Sequence, residues 1–226
     1  MKAAIISIST ILAISLAGSG YLYFNQVQPL QTTQNQLQTK NSKLTNEIQA
    51  LENELNQTVK QLNRTQQEKE DEIARVKSTK DSLIAEMQSE IQDNQIQITQ
   101  MADKLKVSIV DKILFPSGEA DISPEGLAVL KRVGEILIKS KNKIIRVEGH
   151  TDNVPIKRKK DQFPSNWELS TARATNVVRF LQDEVHMDPV RLEAVGLGEY
   201  HPVAENDTKE NRAKNRRIEI ALLPEK

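Results

Sequence analysis

The sequence predicts an α+β fold: a two-layer α/β sandwich in the C-terminal half, preceded by a transmembrane helix and a long helical coiled coil. Three observations carry this. An uncharged, mostly apolar run from Ala3 to Phe24 opens the chain. No glycine or proline falls between Leu30 and Leu105, and leucines recur there every seven residues. After Leu105 the apolar period becomes alternating, and strand patterns interleave with helical ones. The expected boundaries are 1–25 for the anchor, 29–105 for the stalk and 106–226 for the domain.

The anchor is justified by length and charge. Ala3 to Phe24 is enough helix to cross a hydrocarbon core of about 30 Å. Lys2 is followed by no further Lys or Arg until Lys40, so the positive-inside rule keeps the start cytoplasmic and exports the rest. A cleaved signal peptide, with Ala17-Gly18-Ser19 as the small-residue site, is the alternative. Tyr21, Tyr23 and Phe24 favour the anchor, as an aromatic belt at the membrane surface. The expected location is the cell membrane, single-pass, with the C-terminal domain in the periplasm.

The stalk rests on a heptad seam. Leu30, Leu37, Leu44 and Leu51 share one phase, Ile48 and Leu55 lie four residues after members of that series, and Leu62 follows Leu55 by seven, an a/d pattern that predicts a parallel homodimer. Ile84, Ile91, Ile98 and Leu105, interleaved with Met87, Asn94 and Met101, read as a second seam slipped by one residue. Gln34, Asn41 and Asn94 at seam positions would fix register at some cost in stability. A continuous helix would reach on the order of 115 Å at ~1.5 Å per residue.

In the domain, Val107 and Ile109 alternate with Ser108 and Val110 as a strand, ended by Pro116-Ser117-Gly118. Ser123-Pro124 is an N-cap and first-turn signal, followed by a stripe of Leu127, Leu130, Gly134 and Leu137. Ile144–Glu148 reads as a strand, and Ser165 with Glu168 forms a capping box. The helix it opens buries Leu169, Ala172, Val177, Phe180 and Leu181. Leu192–Gly196 is a strand, Thr208–Lys214 a short helix, and Ile218, Ile220 and Leu222 mark the last strand.

Composition narrows the function. Lys plus Arg equals Asp plus Glu, 31 each, so there is no basic excess for nucleic acid; the run Lys157–Lys160 is local. With no cysteine, neither disulfides nor thiolate chemistry can contribute. His150, Asp152 and Ser170 are triad residue types, but His150 and Asp152 are two apart at a strand end and no nucleophile elbow is present, so no enzyme is expected. No His/Asp/Glu spacing reads as a metal site and no cofactor is expected. Glu148-Gly149-His150-Thr151-Asp152 ends a strand, and Asn166-Trp167-Glu168-Leu169-Ser170-Thr171-Ala172-Arg173-Ala174 opens the helix beyond the next loop. A carboxylate and a guanidinium facing one cavity suit a zwitterionic ligand. Taken alone, Asp152 also reads as an Asx turn and Arg173 as a solvated helical arginine.

These blocks, with Val110–Gly118 before them and Asn215-Arg216-Arg217-Ile218-Glu219-Ile220 after them, resemble the OmpA-like family of peptidoglycan-binding domains, closest to its flagellar motor B branch. The resemblance covers residues 106–226 and implies the same sandwich fold and non-catalytic binding of peptidoglycan. It implies that Asp152 holds the ammonium of diaminopimelate in the stem peptide and Arg173 its carboxylate. Asn166, Arg216 and Thr151 complete the implied ligand-binding set. The loop between Asp152 and Asn166 is about six residues longer than in compact members. The expected role is therefore an envelope protein tethering membrane to wall. A motor-B-like stator is the alternative, although Ala3–Phe24 lacks the acid that such a helix uses to carry ions. A coiled-coil envelope scaffold is the other.

Overall fold

The computed structural model describes residues 2–157 and 159–225, with side chains described from Thr10 onward. The chain divides after Thr65 into two units.

The first unit is helical. Helix α1 spans Lys2–Leu22, a π-helical turn covers Tyr23–Val27, and α2 runs Gln28–Glu86 into the second unit. The wide turn has a local cause in Pro29, which has no N–H to donate and whose ring crowds the carbonyl four residues back. Among the described residues no helix is long and apolar enough to cross a membrane. The expected anchor begins in residues 3–9, whose side chains lie outside that description. The seam from Leu30 to Leu62 is helical, and its apolar side chains are exposed in the single chain.

The second unit contains α3 (Gln88–Gln92), β1 (Ile96–Met101), β2 (Lys104–Val110) and α4 (Asp111–Leu114). They are followed by α5 (Pro124–Leu137), β3 (Lys143–His150), α6 (Asn166–Asp183), β4 (Leu192–Gly198), α7 (Lys209–Asn215) and β5 (Arg217–Pro224). The five strands form one mixed sheet in the order β1-β2-β5-β3-β4. Only the β3/β4 pair is parallel, and α6 lies on the crossover that such a pair needs.

One face of this sheet is apolar. Leu105, Val107 and Ile109 stand opposite Leu222, Ile220 and Ile218, and Ile145 and Val147 continue the same rows. These residues join Leu130, Val133 and Leu137 of α5 and Ala174, Val177 and Leu181 of α6 in one core. Gly134 permits close helix packing, since a Cβ there would lie 2.7 Å from a Val185 methyl. The stripe of α5 is rotated from the expected one, with Gly126, Val129 and Val133 buried and Leu127 exposed.

The expected helical stalk to Leu105 is corrected. Helix α2 stops at Glu86, Asn94 takes a left-handed conformation at φ 55°, and residues 96–101 pair with 104–109 as a hairpin turning at Ala102, φ 52°. Asparagine tolerates the left-handed region better than most residues, so it ends the helical run and does not set a seam register. Ile96 and Ile98 alternate with Gln95, Gln97 and Thr99, a period-2 pattern that the spacing of Ile91, Ile98 and Leu105 had disguised as heptads. The end of α2 is part of the domain: its Val76 and Leu83, with Met87 just beyond it, lie in the core. Buried Lys143 reaches back to Glu72 at 2.6 Å and donates to the Asp103 carbonyl at 3.1 Å.

Candidate binding site

The loop end of β3 is shaped by two glycines. A Cβ on Gly149 would stand 2.2 Å from the Ser170 carbonyl oxygen, and one on Gly196 would stand 2.0 Å from Thr171 Oγ1. Only glycine lets α6 lie this close to β3 and β4. The pairing of β3 with β4 shifts register between Gly149 and His150, an irregularity that re-aims the chain as it leaves the sheet. Thr151 then donates its backbone N–H to the Gly198 carbonyl at 2.9 Å.

Helix α6 begins at a capping box. The Ser165 N–H donates to Glu168 Oε2 at 2.8 Å and the Trp167 N–H donates to Ser165 Oγ at 3.2 Å. Asn166, almost fully buried, donates its amide to the carbonyls of Asp152 at 3.1 Å and Val154 at 3.3 Å and to Glu199 Oε2 at 2.7 Å. It ties the loop after β3 to the loop after β4. Ser170 is buried and occupied: its hydroxyl donates to the Trp167 carbonyl and accepts from Gly198 N, each at 3.0 Å.

Four charged side chains meet here. Arg173 Nη1 lies 2.8 Å from Asp111 Oδ1, and Arg173 Nε donates to the Glu119 carbonyl at 2.7 Å. The guanidinium stacks 4.9 Å from the Phe115 ring centre. Asp152 accepts from Arg216 Nη1 at 2.5 Å through Oδ2, and from Val154 N at 3.0 Å through Oδ1. The aspartate is therefore both the Asx turn and an ionic partner. The two pairs are close enough to act on one another. Burial pushes the Asp111 carboxyl up, with Asp152 adding to the rise, while Arg173 and Arg216 oppose it. Burial lowers the Arg173 guanidinium, partly offset by Asp111. The set is neutral overall, with Arg216 its most open member at 38% side-chain exposure, against 4% for Arg173.

Asp152, Arg173 and Arg216 belong to the charge cluster, Asn166 is a buried tie beside it, and Thr151 is buried with no hydroxyl partner among the described residues. Arg173 is not the solvated helical arginine of the alternative reading. Sequence reasoning missed Asp111, which sits at the start of α4 and not on β2. It also missed the Glu119 carbonyl, presented by a turn in which Gly118 adopts φ 74°. The visible signal was Asp111 itself, an acid in phase with Val107 and Ile109.

The opposite sheet face holds a separate polar group. Glu148 and Glu219 are cross-strand partners, and His150 Nε2 lies 3.9 Å from a carboxylate oxygen of each. Their possible metal-ligand atoms lie within 4.8 Å of one another, the one such cluster among the described residues. Glu219 is already matched by Lys106 at 2.5 Å and Arg217 at 2.7 Å. Burial pushes the Glu219 carboxyl up, but these two cations outweigh it and hold it below the usual range. Arg216 and Arg217, adjacent in sequence, thus serve opposite sides of the sheet.

A mixed sheet backed by helices, with paired charges at its loop end, defines a two-layer α+β domain. The chain carries an OmpA family domain, matched over residues 114–216, and it falls in the MotB branch of that family. It is 37% identical over 155 residues to Motility protein B of Bacillus subtilis, covering 69% of this chain and 58% of that protein. It is similar to a MotB-like protein structure from Desulfovibrio vulgaris, with TM-score 0.63 and 28% identity, covering 70% of this chain and 96% of that one. It is also similar to the cell wall anchor of the T6SS from Pseudomonas aeruginosa, with TM-score 0.58 and 35% identity, covering 63% and 97% of the two chains. The chain spans 58% and 61% of the lengths of the first two curated relatives it matches.

Proposed function

We propose that the domain binds peptidoglycan without catalysis, taking the diaminopimelate of the stem peptide, and that the protein tethers a membrane to the cell wall. The observation that carries this is the alternating set Asp111–Arg173 and Arg216–Asp152. Diaminopimelate presents an ammonium and a carboxylate on one side chain. The ammonium would take Asp152 in place of Arg216, and the freed Arg216 would join Arg173 in holding the carboxylate. Exchanging partners within a neutral set avoids leaving any charge buried alone, which would cost several kcal/mol, roughly 3–5. Membership of the OmpA family and similarity to a cell wall anchor support the reading.

The membrane end is assigned to Ala3–Phe24, supported by its lack of charge and by the helical course of Lys2–Leu22. The exposed leucine row of α2 supports dimerisation through a coiled coil. A motor-B-like role is the second reading, favoured by the relatedness to Motility protein B.

The test is calorimetric titration of the full chain with a diaminopimelate stem peptide and with its lysine counterpart, which lacks the side-chain carboxylate. Charge-assisted hydrogen bonds contribute about 1.5–3 kcal/mol each, so the lysine peptide should bind roughly tenfold to a hundredfold more weakly. Asp152→Ala should weaken both peptides. Equal affinity of the two peptides would remove the arginines from the reading.

A further inference from the structure

The rim of the site carries an exposed aromatic pair that the charge cluster leaves unused. Trp167 and Tyr200 stack with ring centres 5.0 Å apart and planes 23° from parallel, although 45% and 59% of their surfaces remain open to solvent. Stacked in this way, the two rings present one local apolar face that a ligand can cover.

Their placement is fixed by the site itself. Trp167 follows Asn166, whose amide holds the Asp152 carbonyl. Tyr200 follows Glu199, whose Oε2 accepts from that same amide. Gly198, at φ 55°, lies beneath both rings: a Cβ there would be 3.5 Å from Tyr200 Cδ2 and 3.6 Å from Trp167 Cδ2. The Gly198 carbonyl in turn receives the Thr151 N–H. The aromatic surface is therefore continuous with the loop that presents Asp152.

We infer that Trp167 and Tyr200 form a platform for a sugar ring of the glycan strand, next to the stem-peptide pocket. This rests on the peptidoglycan reading. A pyranose has C–H groups on one face and hydroxyls around its edge. The electron-rich face of an indole or phenol attracts such C–H groups. Glu199, with Oε2 taken by Asn166, offers Oε1 to a hydroxyl at the edge. An aliphatic lipid chain would gain nothing from that carboxylate. A second protein would need a far larger apolar patch than two rings.

The protein contains a single tryptophan, so its fluorescence reports directly on this surface. The full chain is titrated with a diaminopimelate stem peptide and with the same peptide carried on a GlcNAc–MurNAc disaccharide. The disaccharide form should bind about three- to tenfold tighter and change the Trp167 emission, while the bare peptide leaves the emission unchanged. Trp167→Ala and Tyr200→Leu should each abolish the advantage of the sugar and keep the affinity for the bare peptide. Tyr200→Leu also retains the fluorophore. If the bare peptide binds and the disaccharide adds neither affinity nor an emission change, the platform is wrong and the peptide site stands. If either variant keeps the full sugar advantage, the platform is wrong as well. If neither compound binds the wild type, the peptidoglycan reading fails and the platform falls with it.

Discussion

Arg173 and Asp111 form an ion pair of 2.8 Å in which both residues are almost fully buried, at 3% and 7% exposure. Neither side chain is free to be removed alone. Arg173→Ala leaves an uncompensated carboxylate in the interior, and the loss should reach about 3–5 kcal/mol. Urea unfolding of the variant reads this directly. Asp111→Asn with Arg173→Met should recover part of the loss, since replacing both charges spares the desolvation cost. A lone Arg173→Ala of wild-type stability would show that the pair is open to water. The arginine's role in binding is better tested by Arg173→Lys, which keeps the charge and removes the planar fork.

Gly149 is held by geometry. Its Cβ would collide with the Ser170 backbone at 2.2 Å, and backbone cannot rotate away as a side chain can. Gly149→Ala should destabilise the domain by at least about 2 kcal/mol and weaken ligand binding by moving α6. Gly118→Ala meets no atom within 4 Å but has to adopt φ 74°, so its cost of about 1 kcal/mol is conformational. Thermal melts of the two variants should rank Gly149→Ala well below Gly118→Ala.

The sheet's polar face predicts an acid dependence. Glu219 has its carboxyl held below the usual glutamate value of 4.5. A lowered value in the fold means that the stabilisation is present above 4.5 and is lost as pH falls through the lower folded value. Glu219→Gln should therefore lose less stability than wild type on acidification, while being less stable at neutral pH. Asp111 runs the other way. Its raised carboxyl contributes stability fully present below the usual aspartate value of 3.8 and lost as pH rises through the folded one. Asp111→Asn should remove that decline. Urea midpoints between neutral pH and about pH 3 check both signs.

The proposed dimer can be broken without touching the domain. Leu51 and Leu55 are exposed on α2 in the first unit, so Leu51→Asp with Leu55→Asp should convert an elongated dimer to a monomer in sedimentation. The melting of the domain should be unchanged. A wild-type chain that sediments as a monomer at tens of micromolar ends the coiled-coil reading.

The legible parts were those where one residue type answers to one local demand. Ser165 and Glu168 announced a helix start, and Ile218, Ile220 and Leu222 announced the last strand, although Glu219 and Ala221 between them are buried as well. The hairpin of β1 and β2 was hidden because a seven-residue spacing is shared by heptads and by chance strand neighbours. Asp152 and Arg173 could be named from motif alone, but their burial could not. Burial depended on Asp111 and the Glu119 carbonyl, which reach the site only through the fold. The neighbourhood of Trp167 and Tyr200 was hidden for the same reason, since Gly198 brings the rings together from different elements.

The junction between α2 and the sheet contains no slack. Val76, Leu83 and Met87 are embedded in the core, and Glu72, Thr79 and Glu90 are fastened to Lys143, Ser140 and Arg132. Under the proposed tethering role, tension drawn along the helix would be shared in shear by several turns, and the joint should stay stiff until these buried side chains leave together.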